Sequence, residues 1–408
     1  MNCRFCNTEL HHKFVDLGNS PPSNSFVTKE YLEQGEMYYP LKVYVCERCF
    51  LVQIDECKKS VDIFNNFYPY FSSYSRTWLE HAKAYTEMMI DRFHYNAESF
   101  ILEIASNDGY LLQYFKEKNI PVMGVEPTAN TAEVAIAKGI ETVVDFFNEN
   151  LAHKLAVHNK KADLVLGNNV LAHVPDVNSF VKGLKTVLKE DGVITMEFPH
   201  LMQLVEQSQF DTIYHEHFSY FSFYTVRKIF EKHKLEIFDV EQLSTHGGSI
   251  RIFAKHQADA KKKVSDNVHR LLATEEKLGM RDLKYYSDFQ NKTLVIKYQL
   301  LQFLINMKLQ GKKVVAYGAA AKGNTLLNYC GIKQDLIQFV IDASPFKLGK
   351  YMPASHIPVV KEEEIRKYKP DYVLILPWNI KDEIMKQLSY ILEWKGKFVV
   401  PIPQLEVI

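Results

Sequence analysis

The chain has no run of 18 apolar residues, so its sequence offers no helix built to cross a bilayer. It also has no net charge. Its 49 Lys+Arg residues offset 49 Asp+Glu, which removes any whole-chain attraction to nucleic acid or an anionic membrane. No basic patch adjoins the cysteines, which counts against a nucleic-acid adaptor. The opening Met1-Asn2-Cys3-Arg4-Phe5-Cys6 is not a signal peptide, and a cytoplasmic protein is expected. Cysteine is scarce, at six in 408 residues. The three-glycine phosphate fingerprint is missing from the first strand-to-helix turn, so no diphosphate is implied there.

What is present supports sizeable cores: 47% of residues are hydrophobic and 13% aromatic. At this length a single core stops growing, and two or three domains are expected. Four of the six cysteines fall as Cys3-x2-Cys6 and Cys46-x2-Cys49. In a reducing compartment that pattern points to a metal rather than to disulfides. Each C-x2-C turn lets two thiolates converge, and two turns complete a tetrahedral Zn²⁺ site with no position left for water. The zinc is therefore expected to be structural. Cys57 and Cys330 stand alone and are read as core thiols.

Residues 1–60 form the expected zinc-binding module, with a turn-rich Asn19-Ser20-Pro21-Pro22-Ser23-Asn24 and a strand over Pro40–Val45. Residues 61–257 are expected to form a Rossmann-like domain. Trp78–Phe93 has helical periodicity, and strands are expected at Phe100–Ile104, Val122–Val125, Asp163–Leu166 and Val193–Met196. Residues 235–256 look like an antiparallel tail. Residues 258–408 begin with a helical stretch to about 309 and continue as a second Rossmann-like unit, with strands at Lys313–Tyr317, Phe339–Asp342 and Tyr372–Leu376. The fold class is α/β.

A ligand in an open α/β sheet sits beyond the carboxyl ends of its strands. The first turn there is Glu103-Ile104-Ala105-Ser106-Asn107-Asp108-Gly109, and Glu126 ends the second strand, placed to accept from a ribose diol. An acidic residue beside a glycine-poor turn suits S-adenosylmethionine (SAM) better than a dinucleotide. Asp145, followed by two phenylalanines, is positioned to frame the adenine; Asn168 to His173 ends the fourth strand above the reacting centre. As alternatives, Glu126 and Asn168 would serve as caps and Asp145 as a turn residue.

The densest cluster of proton-handling groups is Tyr214-His215-Glu216-His217, on a segment without periodicity. Phe218, Tyr220, Phe221, Phe223 and Tyr224 follow it. An aromatic wall beside His and Glu suggests a shielded pocket, where burial tunes a base. His246-Gly247-Gly248 reads as a tight turn that could reach substrate. In the third region Tyr317-Gly318-Ala319-Ala320-Ala321-Lys322-Gly323-Asn324 opens a helix with backbone donors and one cation, suited to the diphosphate of a nucleotide sugar.

Together these pieces resemble the sugar C-methyltransferase family, SAM-dependent enzymes that methylate a ring carbon of nucleotide-linked keto-deoxysugars. The resemblance covers nearly the whole chain. It rests on the two cysteine pairs, Tyr68-Pro69-Tyr70-Phe71-Ser72-Ser73-Tyr74-Ser75, the Glu103–Gly109 turn, Asn169-Val170-Leu171-Ala172-His173, Tyr214–His217, His246–Ser249 and Tyr317–Asn324. One departure is Ala105, where the family usually has glycine; a methyl there narrows the approach of the methionine moiety. The resemblance implies a zinc-binding, a SAM-binding and a nucleotide-sugar-binding domain. It implies His217 as general base, Glu216 orienting or assisting it, and Tyr214, His173 and Tyr68 or Tyr70 lining the sugar site.

Such chemistry is demanding. A ring C–H is acidic enough only beside a ketone, where its anion is an enolate. It then needs a base within hydrogen-bond reach and donors facing the oxygen. A methyltransferase acting on oxygen or nitrogen would need no ketone.

Overall fold

The computed structural model describes residues 1–64 and 70–408 and contains three sheets. The first is antiparallel. Strands β1 (His12–Ser20), β2 (Tyr39–Val45) and β3 (Val52–Ile54) pair in order, and their apolar faces bury Phe14, Val15, Val43 and Ile54.

The second sheet begins after the helix Arg76–Phe93, whose N-terminal Ser75 accepts the Trp78 N–H. Its strands are β4 (Ile101–Ile104), β5 (Val122–Val125), β6 (Glu141–Val143), β7 (Ala162–Asn168) and β8 (Leu188–Pro199). A short strand, β9 (Ser219–Tyr220), leaves this region and pairs with β3, so the N-terminal sheet runs β1-β2-β3-β9. The hairpin β10 (Leu235–Leu243) and β11 (Ser249–His256) then closes the second sheet in the order β10-β11-β8-β7-β4-β5-β6. Strands β4 to β8 run parallel and the hairpin is antiparallel, as its sequence suggested. All four residues of β4 are buried, which is what a central strand covered by helices on both faces requires.

The helical stretch expected over 258–309 is broken into Asp266–Lys277, Lys284–Ser287 and Phe289–Leu309. Gly279, at φ +82°, sits at the first break, a backbone conformation that glycine adopts without steric cost. The third sheet follows with β12 (Val314–Tyr317), β13 (Val340–Ile341), β14 (Val359–Val360), β15 (Tyr372–Ile375), β16 (Lys397–Val400) and β17 (Glu406–Val407), ordered β14-β13-β12-β15-β16-β17. Only β17 is antiparallel to its neighbour. In both α/β sheets the strand order reverses around the first strand, creating a crevice at the carboxyl edge: between β4 and β7, and between β12 and β15.

The cores cross the sheet boundaries. Phe14, Val43, Leu201, Phe210, Phe218, Leu326 and Leu376 belong to one continuous apolar cluster. Cys3, Phe5, Cys46 and Cys49 pack with Val226, Ile229 and Phe230 in another. The segment carrying Tyr214–His217 lies where the three sheets meet. Among the described residues no helix is long and apolar enough to cross a membrane.

Candidate active site

The turn after β4 is shaped by backbone conformation. Ala105, Asn107 and Gly109 have φ of +58°, +49° and +73°. A glycine adopts that conformation at Ala105 without steric cost, whereas alanine is held in the left-handed region there. The Asn107 N–H donates to Glu126 Oε2 at 2.9 Å, and Glu126 Oε1 accepts the Thr128 N–H at 2.9 Å. Glu126 thus stands at the end of β5 with both oxygens engaged in holding the rim. Asn107 Oδ1 accepts the Ser72 N–H at 2.8 Å, and its Nδ2 donates to the Tyr70 carbonyl at 3.2 Å. Asp108 Oδ2 accepts both the backbone N–H and the hydroxyl of Ser73. The segment Tyr70–Ser73 is therefore strapped across the turn.

Among the described residues, the Ser106 hydroxyl and Asp108 Oδ1 are buried at this turn without a partner. Burial pushes the Glu103 carboxyl well above the ordinary carboxylate range. Orphaned groups in a buried cradle call for a polar ligand. A nucleoside carrying an amino-acid moiety has the hydroxyls and ammonium to satisfy them, so the residues fit SAM. Asn168, at the end of β7, donates to Tyr110 Oη at 3.2 Å on the same edge. Asp145 is not drawn into this cluster. It is exposed, and its Oδ1 accepts the adjacent Phe146 N–H at 2.7 Å, the geometry of a turn residue.

Beyond the edge lies Tyr214-His215-Glu216-His217, between the short helix Phe210–Thr212 and β9. His215, Glu216 and His217 are all buried. His217 Nδ1 donates to the Thr212 carbonyl at 2.9 Å, and His173 Nδ1 donates to the Glu216 carbonyl at 2.8 Å. Because a carbonyl only accepts, both rings carry their proton on Nδ1 and keep a lone pair on Nε2. The ring centroids of Tyr214 and His173 stand 4.0 and 4.7 Å from that of His217. Burial drives the His217 imidazole well below its usual range, with His173 adding to the effect, and pushes His173 down to about 4. Both rings stay neutral near pH 7. Burial also holds the Tyr214 phenol well above its ordinary value, so it remains a donor. His215 faces elsewhere, with Nε2 donating to the Tyr39 carbonyl at 3.2 Å.

His246 sits in the turn before β11 at φ +55°, and its Nε2 lies 3.0 Å from Asn169 Nδ2. The Lys322 ammonium donates to the His246 carbonyl at 3.4 Å and to Asn379 Oδ1 at 3.0 Å, lying 4.7 Å above the Trp378 ring. Lys322, His246 and His217 are thus brought to one seam. Asn324 is not part of an open cradle: it is fully buried, and its Nδ2 donates to the Ser23 carbonyl at 2.6 Å. Tyr70 is exposed beside the first turn, and Tyr68 lies outside the described residues.

Sequence reasoning missed several members of the site. Trp378 Nε1 donates to Asp211 Oδ2 at 2.7 Å, and burial raises the Asp211 carboxyl to about 6 against the pull of Lys322. Glu197, at the end of β8, accepts from Thr245 at 2.9 Å, Arg251 at 2.6 Å and His81 at 2.8 Å. Burial alone would raise that carboxyl, but His81 and Arg251 outweigh it and hold it at about 2. Asn24 reaches Glu216 Oε1 at 2.7 Å. The one signal available for Glu197 was its place at a strand end; Asn24 read only as part of a turn.

The four paired cysteines come together as expected. The Sγ atoms of Cys3, Cys6, Cys46 and Cys49 all lie within 4.8 Å of one another, with 3.5 Å between Cys3 and Cys49 and between Cys6 and Cys46. A tetrahedron with Zn–S of about 2.3 Å sets its sulfurs roughly 3.8 Å apart, so the cluster fits Zn²⁺ with every corner filled by thiolate. Gln53 Nε2 donates to Cys3 Sγ at 3.3 Å, an outer contact of the kind that steadies a thiolate.

The fold and site are those of a SAM-dependent methyltransferase that carries a structural zinc centre. Family models match residues 3–64 as a zinc binding domain, 79–240 as a methyltransferase domain and 244–403 as a C-methyltransferase C-terminal domain. The C-methyltransferase NovU of Streptomyces niveus is 34% identical over 406 residues, which cover 100% of this chain and 96% of that one. The chain belongs to the C-methyltransferase family. A shorter match, 30% identical over 95 residues, joins 23% of the chain to 38% of the ubiquinone biosynthesis O-methyltransferase of Bartonella quintana (strain Toulouse). Among solved structures, magnesium protoporphyrin IX methyltransferase from Synechocystis PCC 6803 overlaps 43% of this chain and 78% of its own, with a TM-score of 0.34 and 13% identity. An overlap that loose says nothing of the site.

Proposed function

We propose that the enzyme methylates the ring carbon next to the ketone of a nucleotide-linked 4-keto deoxysugar, in the cytoplasm. The observation that carries this reading is the fixed tautomer of His217: its Nδ1–H is held by the Thr212 carbonyl, and its Nε2 lone pair is kept neutral in a buried, aromatic-walled site. The same base would serve a hydroxyl acceptor; what a carbon acid adds is the need for a donor at the ketone oxygen, and the Tyr214 ring, 4.0 Å from that of His217, supplies one.

In this reading the nucleotide-sugar substrate binds at the seam, over residues of 258–408, while 61–257 hold SAM and 1–60 hold zinc. Glu103, Ala105, Ser106, Asn107, Asp108, Glu126 and Asn168 form the cofactor rim. His217 Nε2 removes the proton beside the ketone, and Glu216 keeps the imidazole in place. Tyr214 donates to the oxygen on which enolate charge develops, where preorganised donors are most effective. His173, whose Nε2 carries no proton, lines the sugar site beside His217. SAM supplies an electrophilic methyl group for the enolate carbon. The chain's own contribution to that step is alignment of carbon and methyl. Lys322 serves the diphosphate, with His246 and Tyr70 at the sugar.

The test is mass spectrometry in D₂O with SAM and a panel of nucleotide-linked 4-keto-6-deoxysugars, beside His217→Ala. Support is a gain of one methyl with ketone-dependent C–H exchange that the variant loses. Methyl transfer to substrates lacking the ketone, or undiminished exchange in the variant, would overturn the proposal.

A further inference from the structure

Glu216 is 3% exposed, in surroundings where a carboxylate without polar contacts is costly. Its Oε1 accepts the side-chain amide of Asn24 at 2.7 Å, a contact that spans 192 positions of sequence. Asn24 belongs to the turn that follows β1, in the same module as the zinc cysteines.

That turn is fixed at several points. Asn324 donates to the Ser23 carbonyl at 2.6 Å, and the Ser23 and Thr325 hydroxyls are 3.4 Å apart. Thr325 Oγ1 donates in turn to the carbonyl of Ile213 at 3.0 Å, immediately before Tyr214. The donor's turn and the acceptor's loop are therefore anchored to one helix, Ala321–Cys330. Three residues on, Val27 and Tyr351 exchange backbone bonds of 3.0 and 2.8 Å. Asn24 is held in register with Glu216 by contacts on both sides.

We infer that Asn24 is a positioning residue for methyl transfer, which fixes the Glu216 side chain and so the loop that carries His217 and whose Glu216 carbonyl holds the His173 ring. The inference rests on the role proposed above for Glu216. The residue type suits the task. An amide donates to a carboxylate without adding a charge that would neutralise it, and a bond to a charged acceptor is stronger than one between neutral groups. A lysine here would pair with Glu216; an aspartate would repel it. The N-terminal module thereby enters the chemistry.

Asn24→Ala, Asn24→Asp and Glu216→Gln in the full-length enzyme test this, through kcat, KM, C–H exchange in D₂O, bound zinc and melting temperature. Loss of a charge-assisted hydrogen bond corresponds to about 10- to 100-fold. Asn24→Ala is expected to lower kcat and exchange by that much, with KM little changed and zinc retained. Asn24→Asp is expected to be slower still. If Asn24→Ala does not fold, Asn24→Ser, whose shorter side chain cannot span the gap, takes its place. Wild-type exchange in the alanine or serine variant, or losses that only track the unfolded fraction, would overturn the inference. Slow Glu216→Gln with fast Asn24→Ala would remove Asn24 alone. Wild-type exchange in Glu216→Gln would remove the role of Glu216 itself.

Discussion

The bond from His217 Nδ1 to the Thr212 carbonyl, 2.9 Å long, decides which nitrogen is available for chemistry. No side-chain substitution at position 212 removes a backbone acceptor, so the tautomer is built into the loop. Replacing His217 with Gln is therefore expected to cost about 10²- to 10⁴-fold in C–H exchange, the usual contribution of a general base, while SAM affinity is kept. Calorimetric SAM binding beside the exchange rate checks it. Loss of SAM affinity in step with exchange would show that the loop had collapsed.

The same burial makes stability depend on pH. His173 and His246 are pushed down to about 4 from an ordinary 6.5, by burial in both cases, with Lys322 adding to it at His246. Above pH 6.5 these rings are neutral whether the chain is folded or not. As pH falls from about 6.5 toward 4 the unfolded chain takes up protons that the folded chain refuses, so stability is lost across that window. The loss is roughly 3 kcal/mol for each ring at full extent. Urea midpoints at pH 7.5, 6 and 5 should fall in order, and His246→Gln should shallow the slope. A flat profile would mean that the rings are solvated.

The chemistry legible in the sequence was that of residues adjacent in the chain. The two C-x2-C pairs, the turn from Glu103 and the Tyr214–His217 cluster announce themselves because residue type and spacing suffice. The parallel α/β sheets needed little more, since β4 and β12 each open a strand–turn–helix unit. What stayed hidden depends on distant pairing. Asn24 meets Glu216, Trp378 meets Asp211, and Glu197 collects Thr245, Arg251 and His81 only after the sheets have packed. Asn324 is the mirrored case. Its motif position is right, but its amide is spent on Ser23 across a seam that no local pattern encodes.

Ala105 should report on strain. At φ +58° an L-residue costs about 1–2 kcal/mol, and glycine relieves this while losing roughly 0.5–1 kcal/mol of backbone entropy. Ala105→Gly is thus expected to be neutral or stabilising by up to about 1 kcal/mol and to tighten SAM binding, since the methyl is gone from the turn. Ala105→Val should be clearly destabilised, because branched residues are outliers at positive φ. Denaturant midpoints and SAM titrations separate these outcomes; a tolerated valine would refute the assigned backbone conformation.

Lys322 offers a division between binding and chemistry. If its ammonium meets the diphosphate, Lys322→Met should weaken binding of nucleoside diphosphates by about 10- to 100-fold, and raising the salt should narrow the gap. Asp211, raised by burial to about 6 even beside this cation, should titrate higher still in the variant. Unchanged diphosphate affinity with a lowered kcat would move Lys322 from the phosphates to the reacting ring.

The zinc centre makes the last prediction quantitative in two directions. Cys3, Cys46 and Cys49 pack against Val226, Ile229 and Phe230, and the Thr225 hydroxyl donates to the Cys49 carbonyl at 3.0 Å. Arg4, between the first two ligands, donates to the Pro175 carbonyl at 2.9 Å and the Ile54 carbonyl at 2.6 Å. Four thiolates without the ion would repel or protonate, and both outcomes loosen this contact. Cys46→Ser, or a strong chelator, is expected to lower the melting temperature by more than roughly 5 °C. Turnover should fall in parallel with the folded fraction. A closed site holds no position for substrate, so the variant's remaining folded protein must still bind SAM. A variant that melts normally yet loses all turnover would contradict the closed, structural assignment and put the metal in the reaction.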